Sequence, residues 1–140
     1  LKRRNYRVAT IKHHSHPGFD IDIPGKDTWR HAQAGSDQVI IVAPDKIASI
    51  RKVDHELSLD EITAEIKGVD IILTDGFKRA RQPMIEVIRT ERGYLPIADP
   101  DRLIAIATDL KIRATVPVFG LDDAVRLVDF IEAKFLGVAT

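Results

Sequence analysis

Apolar and polar positions along this chain fall into short blocks whose spacing switches between the two-residue period of strands and the longer period of helices. Residues 1–6 (LKRRNY) read as the last turn of a helix. Basic side chains suit the negative end of a helix dipole, and Asn5 tolerates the left-handed position that closes it. Residues 7–12 then read as a strand, with β-branched Val8, Thr10 and Ile11. Residues 13–26 (HHSHPGFDIDIPGK) are broken by Pro17, Gly18, Pro24 and Gly25 and read as loop. Asp27 and Thr28 are placed to cap a short helix running to Ala34 and closed by Gly35.

Residues 38–43 and 46–53 read as two strands joined at Pro44-Asp45, a hairpin. Ser58-Leu59-Asp60-Glu61 has the capping-box spacing, and Leu59, Ile62 and Ile66 continue it as an amphipathic helix stopped by Gly68. Residues 69–74 form a short apolar run expected to be buried on both faces. Residues 85–89 alternate behind Pro83 and look half exposed. Residues 103–107 and 115–119 are two more apolar strands. Residues 122–135 place Val125, Val128, Ile131 and Phe135 on one helical stripe, with two acids in the first turn. Apolar strands alternating with helices predict an α/β fold with a mostly parallel sheet flanked by helices, to which the hairpin adds an antiparallel extension.

A length of 140 residues fits a single domain able to bury one core. Lys+Arg and Asp+Glu both number 21, and a net charge of zero gives no global attraction to nucleic acid or an acidic membrane. There is no cysteine, which removes disulfides and thiolate metal sites and suits a cytoplasmic protein. The apolar runs are far shorter than the roughly 20 residues a membrane helix needs, and no signal-peptide pattern opens the chain. The first residue is Leu, so the chain is expected to begin inside a longer protein. A helix end feeding a strand is the second half of a βαβ unit, whose first strand and leading loop this sequence does not contain.

In open parallel sheets ligands sit beyond the carboxyl ends of the strands. Those ends carry His13-His14, Asp75-Gly76, Thr108-Asp109 and Gly120. A carboxylate at a strand tip can hold Mg²⁺, and a following glycine lets backbone N–H groups approach a phosphate; taken alone, Asp75-Gly76 reads first as an ordinary turn. Thr108-Asp109 has the chemistry to accept from the paired N–H donors of guanine, or to serve a turn or a cap. His13, His14 and His16 could ligate a metal with Asp20, Asp22 or His31, contact a polar ligand, or lie in a solvated loop. Lys26, Arg30 and His31 lie near a helix start that favours anions, or on a solvated face. Trp29 is a core residue or a stacking platform. Lys78, Arg79 and Arg81 meet phosphate or water.

With these segments in place the chain resembles the MobB family, adapter proteins of molybdopterin-guanine dinucleotide biosynthesis. The residues that carry the likeness are Arg7-Val8-Ala9-Thr10-Ile11-Lys12-His13-His14, Pro24-Gly25-Lys26-Asp27 with Arg30-His31 and Ala34-Gly35, and Asp70-Ile71-Ile72-Leu73-Thr74-Asp75-Gly76-Phe77-Lys78. Pro83 with Ile85-Glu86-Val87 follows, then the shorter echoes Ala107-Thr108-Asp109 and Pro117-Val118-Phe119, in the family's order. The resemblance implies a P-loop NTPase-like fold that binds GTP and Mg²⁺ and hydrolyses GTP weakly at most. It implies partnership with the guanylyltransferase that joins GMP to molybdopterin. A homodimer through the hairpin strands is expected from the sequence itself, because an edge carrying Ile40 to Val42 needs cover.

By that likeness Asp75 is a Mg²⁺-binding carboxylate, Gly76 lies beside the terminal phosphate, and Thr108 and Asp109 belong to the base-contacting loop. Lys12, His13, His14, Lys26, Arg30 and His31 line the side facing cofactor or phosphate. The tips carrying Asp75 and Asp109 are expected to face one nucleotide pocket. A binding module for the pterin or a molybdoenzyme, with GTP incidental, is the alternative. Two features depart from the family pattern. Asp75 stands where Glu is usual, and no G-x-x-x-x-G-K-[ST] phosphate loop occurs, so the chain as given is expected to bind GTP poorly.

Overall fold

The computed structural model describes residues 1–16, 18–77, 79–92 and 98–137. It shows the predicted α/β class, with parallel strand pairs and one antiparallel hairpin. The chain divides into two compact units, Leu1–Lys12 with Ile66–Thr140, and His13–Glu65. No helix among the described residues is long and apolar enough to cross a membrane.

The first unit opens with a 3-10 turn, Lys2–Arg4, closed by Asn5 in the left-handed conformation (φ 65°). The chain then enters β1 (Val8–Lys12), which pairs in parallel with β4 (Ile71–Asp75), Val8 opposite Ile71 and Lys12 opposite Asp75. At the amino end of this pair Arg7 and Asp70 are locked together. The Arg7 backbone N–H donates to Asp70 Oδ2 at 2.7 Å and its Nη2 to Oδ1 at 2.6 Å, with Nε shared between the two oxygens at 3.2 Å. A planar fork on a carboxylate is the strongest form of side-chain ion pair.

Donation from the Arg7 side chain, then from its backbone N–H, brings the Asp70 pKa down to about 2. A depressed carboxylate contributes stability above its unfolded pKa and loses it as pH falls through the folded one. Asp70→Asn should therefore lower the urea midpoint at pH 6, and the gap to wild type should close between about pH 4 and pH 2. A gap that stays constant across that window would remove the lock from the account.

Behind Pro83, β5 (Met84–Ile88) pairs in parallel with β6 (Leu103–Thr108), which pairs in parallel with the two-residue β7 (Val118–Phe119). Flanked on both edges, β6 is the best-buried strand, and Ala105, Ile106 and Ala107 on it form the core with Ile88, Phe119 and Ile131. Helix α3 (Ala124–Ile131) continues as a π-helical turn, Glu132–Leu136. It meets the sheet through Phe130, whose ring lies 5.6 Å from that of Phe119. Arg4 reaches from the opening turn to Asp129 (2.6 Å) and to the nearly buried Glu132, closing the unit end to end.

Three sequence expectations need correction here. β4 is not buried on both faces, since Leu73 is exposed. Among the described residues it hydrogen bonds to β1 alone, and a two-stranded sheet has too little surface around it to cover itself. The strand expected at 115–119 shortens to β7. The stripe on the last helix fails at both ends, for Val125 and Phe135 are exposed, and only its middle meets the core.

The second unit holds α1 (Asp27–Gln33), the hairpin β2 (Gln38–Ala43) and β3 (Lys46–Arg51), and α2 (Leu59–Glu65). The hairpin pairs Ala43 with Lys46 around Pro44-Asp45, as predicted. The capping box is also present: the Ser58 N–H donates to Glu61 Oε2 at 2.8 Å, and the Glu61 N–H donates to Ser58 Oγ at 3.3 Å. α1 differs in its start. Lys26, not Asp27 or Thr28, holds the cap position and makes no side-chain cap bond. Loop residue Pro17 lies outside the described residues.

Candidate functional site

Because β1 and β4 run parallel and in register, their last residues, Lys12 and Asp75, lie side by side at one carboxyl end. Lys12 Nζ donates to Asp75 Oδ2 at 2.6 Å. With Thr10, Ile11, Leu73 and Thr74 the pair lines a depression of about 370 Å³. Beyond Asp75 the backbone turns away sharply, with Gly76 at φ 99° and Phe77 at φ 51°. Glycine takes that conformation freely, but a left-handed phenylalanine costs about 1 kcal/mol or more. The strain at Phe77 was not legible in the sequence, which marked only the glycine. Lys78 lies outside the described residues, while Arg79 and Arg81 are exposed.

At the end of β6 the side chains turn to local backbone. Thr108 Oγ1 accepts from the Leu110 N–H at 3.0 Å, and Asp109 Oδ1 accepts from the Thr90 N–H at 2.9 Å. The Thr90 N–H is the main reason the Asp109 pKa is lowered. These two residues line a depression of about 830 Å³ with Gly120, Leu121, Asp122 and Asp123. Sequence reasoning treated Asp122 and Asp123 only as helix-start acids and missed them as a wall. A pocket with three aspartates repels phosphate and suits groups that donate hydrogen bonds. Asp109 and Asp75 line two different depressions, not the one pocket expected from the sequence.

The remaining candidates belong to the second unit. His13 Nε2 lies 2.5 Å from Glu56 Oε1. The His14 ring contacts His16 and Phe19, and His14 Nδ1 lies 2.8 Å from the His16 carbonyl. Lys26 caps α1, and Arg30 and His31 are exposed on its last turn. Trp29 is half-buried. Among the described residues no group of three or more His, Asp or Glu is placed to hold a metal ion, which leaves the histidine-metal reading without a ligand set.

The family model described as "Molybdopterin guanine dinucleotide synthesis protein B" matches residues 1–109. A molybdopterin-guanine dinucleotide biosynthesis adapter protein of Haemophilus influenzae is 32% identical over 135 residues, covering 94% of this chain and 75% of that protein. The protein of the same name from Escherichia coli is 29% identical over 137 residues, covering 94% of this chain and 78% of its own. Among solved structures, a crystal structure of molybdopterin-guanine biosynthesis protein B superposes with a TM-score of 0.71 at 25% identity, covering 95% of this chain and 84% of that one. Bacillus subtilis MobB superposes with a TM-score of 0.75 at 24% identity, over 97% and 84% of the two chains.

Proposed function

The chain belongs to the MobB family, adapter proteins of molybdopterin guanine dinucleotide biosynthesis, and on that premise we propose that it serves a guanylyltransferase by holding Mg²⁺-bound GTP at its strand tips. The observation that carries this reading is the carboxylate of Asp75, exposed at the carboxyl end of a parallel strand and already holding a cation, the Lys12 ammonium. A carboxylate that accepts one cation at this place fits another. Mg²⁺ is commonly held by one or two carboxylates, with water and nucleotide phosphates completing its shell. The metal would neutralise phosphate charge there.

The acid-lined depression at Thr108 and Asp109 supports the base end. Thr90, through its N–H and its side chain, and the Asp109 backbone N–H use part of the Asp109 carboxylate, and a carboxylate has about four acceptor positions, which leaves room for an N–H donor of guanine. The triphosphate needs a glycine-rich clamp that this sequence does not contain. Among the described residues β4 pairs with β1 alone and β5 with β6 alone, so each leaves an edge on which a further parallel strand with such a loop would fit. Hydrolysis at this site is slow, since no side chain at the described tips is set up as a base for water. His14, Lys26, Arg30 and His31, all exposed, suit the anionic pterin.

Ile40, Ile41, Val42 and Ile47 of the hairpin are exposed, and among the described residues neither hairpin edge pairs with a further strand. Such an edge is normally covered, here by a second copy of the chain. Light scattering of the chain mixed with a molybdenum cofactor guanylyltransferase, in the cytoplasmic conditions this pairing implies, should give one complex containing two copies of the chain. Separate elution of the guanylyltransferase and a monomeric chain would contradict the reading.

A further inference from the structure

The β1–β4 pair carries an ion pair at each end, and the two differ in kind. Arg7 and Asp70 at the amino end are joined through backbone and side chain together, in a fork geometry. Lys12 and Asp75 at the carboxyl end are joined by one hydrogen bond of 2.6 Å. Their side chains remain 68% and 75% exposed, so water and ions reach both partners. An ammonium is a compact point charge on a flexible stem, whereas a guanidinium fork is fixed in orientation. The first pair therefore holds the strands, and the second is free to exchange.

We infer that Lys12 is an exchangeable internal counter-ion: its ammonium occupies the Asp75 carboxylate until a divalent cation displaces it, and then turns to the phosphate that the cation brings. This rests on the nucleotide reading above and adds a role for Lys12 to it. The exchange balances charge at each stage. Without ligand, Asp75 is neutralised by Lys12. With a metal-nucleotide, Asp75 faces the divalent cation while Lys12 offsets the anionic phosphates. Bare metal pays twice, since it must displace Lys12 and remain beside its positive charge. The device thus disfavours bare cation and favours the cation that arrives on a polyphosphate.

The inference requires opposite signs for a single substitution. Mn²⁺ binding, followed by water-proton relaxation, should be about 2- to 5-fold tighter in Lys12→Met than in wild type, the range that loss of an exposed ion pair allows. Mg²⁺·GTP binding to the same variant should be weaker than to wild type. Lys12→Arg, which keeps the charge and can fork onto the carboxylate, should bind Mn²⁺ no tighter than wild type and shows whether charge or packing is responsible. The Arg7–Asp70 lock is untouched, and a far-UV melt checks that the strands remain paired. If Lys12→Met leaves Mn²⁺ affinity unchanged, or moves both affinities in one direction, the counter-ion role fails while the nucleotide reading stands. If no form binds Mn²⁺, both fail.

Discussion

Phe119→Ala should lower the unfolding free energy by about 3 to 5 kcal/mol, the cost of removing a buried aromatic ring whose surroundings relax only in part. Phe119 is 5% exposed. It ends β7, the shortest strand of its sheet, and its ring packs on Phe130 of α3 at 5.6 Å, beside the Arg4 ion pair to Asp129 and the buried Ile131. The Arg126 guanidinium also lies 5.8 Å from the ring centroid. One side chain therefore joins a strand too short to hold itself to a helix whose own ends are exposed. Natural domains keep only about 5 to 15 kcal/mol in hand, so the loss is a large fraction of the total. Urea titration should show a lower midpoint with the slope unchanged. Val125→Ala on the same helix, at a site 67% exposed, should stay within about 0.5 kcal/mol. A Phe119→Ala variant as stable as Val125→Ala would mean that α3 is held by something else.

What the sequence made legible was mostly local. The capping box at Ser58 and Glu61 spans four residues, so spacing alone specifies both hydrogen bonds. Asn5 in the left-handed conformation and the hairpin at Pro44-Asp45 are likewise short-range. The strand tips were also readable, because a change from apolar to polar residues marks where a strand ends. Register was not. That Arg7 meets Asp70 and Lys12 meets Asp75 depends on how two strands far apart in sequence align, which no local pattern encodes.

The last helix shows the same limit from the other side. Its stripe has helical periodicity from Val125 to Phe135, but periodicity says which residues share a face, not how much of that face finds a partner. Only Ile131 on that stripe is buried outright. At the candidate site the sequence left Asp109 open between a base contact and a turn or cap. The structure gives part of it to the Thr90 N–H and adds Asp122 and Asp123 as neighbours, a consequence of β6 and β7 lying side by side.

The other large effect concerns Asp75. Its side chain is 75% exposed, so Asp75→Ala should leave the fold intact. It is also the one acid at the described end of β4, and replacing it removes the protein's own ligand for a nucleotide-bound cation. The Mg²⁺-dependent part of GTP affinity should fall at least about tenfold, as losses in metal-site support commonly do. Lys12 would be left without its partner, so binding of GTP in the absence of metal should hold or rise slightly.

Titrating the isotopically labelled chain with GTP, with and without Mg²⁺, and following backbone amides by NMR reads this directly, even where binding is weak. Mg²⁺·GTP should shift the amides of Lys12, Asp75, Gly76, Thr108 and Asp109, and Asp75→Ala should abolish the difference that Mg²⁺ makes. Shifts confined to other residues, or an Mg²⁺ effect that survives in Asp75→Ala, would contradict the assignment of the strand tips as the nucleotide site.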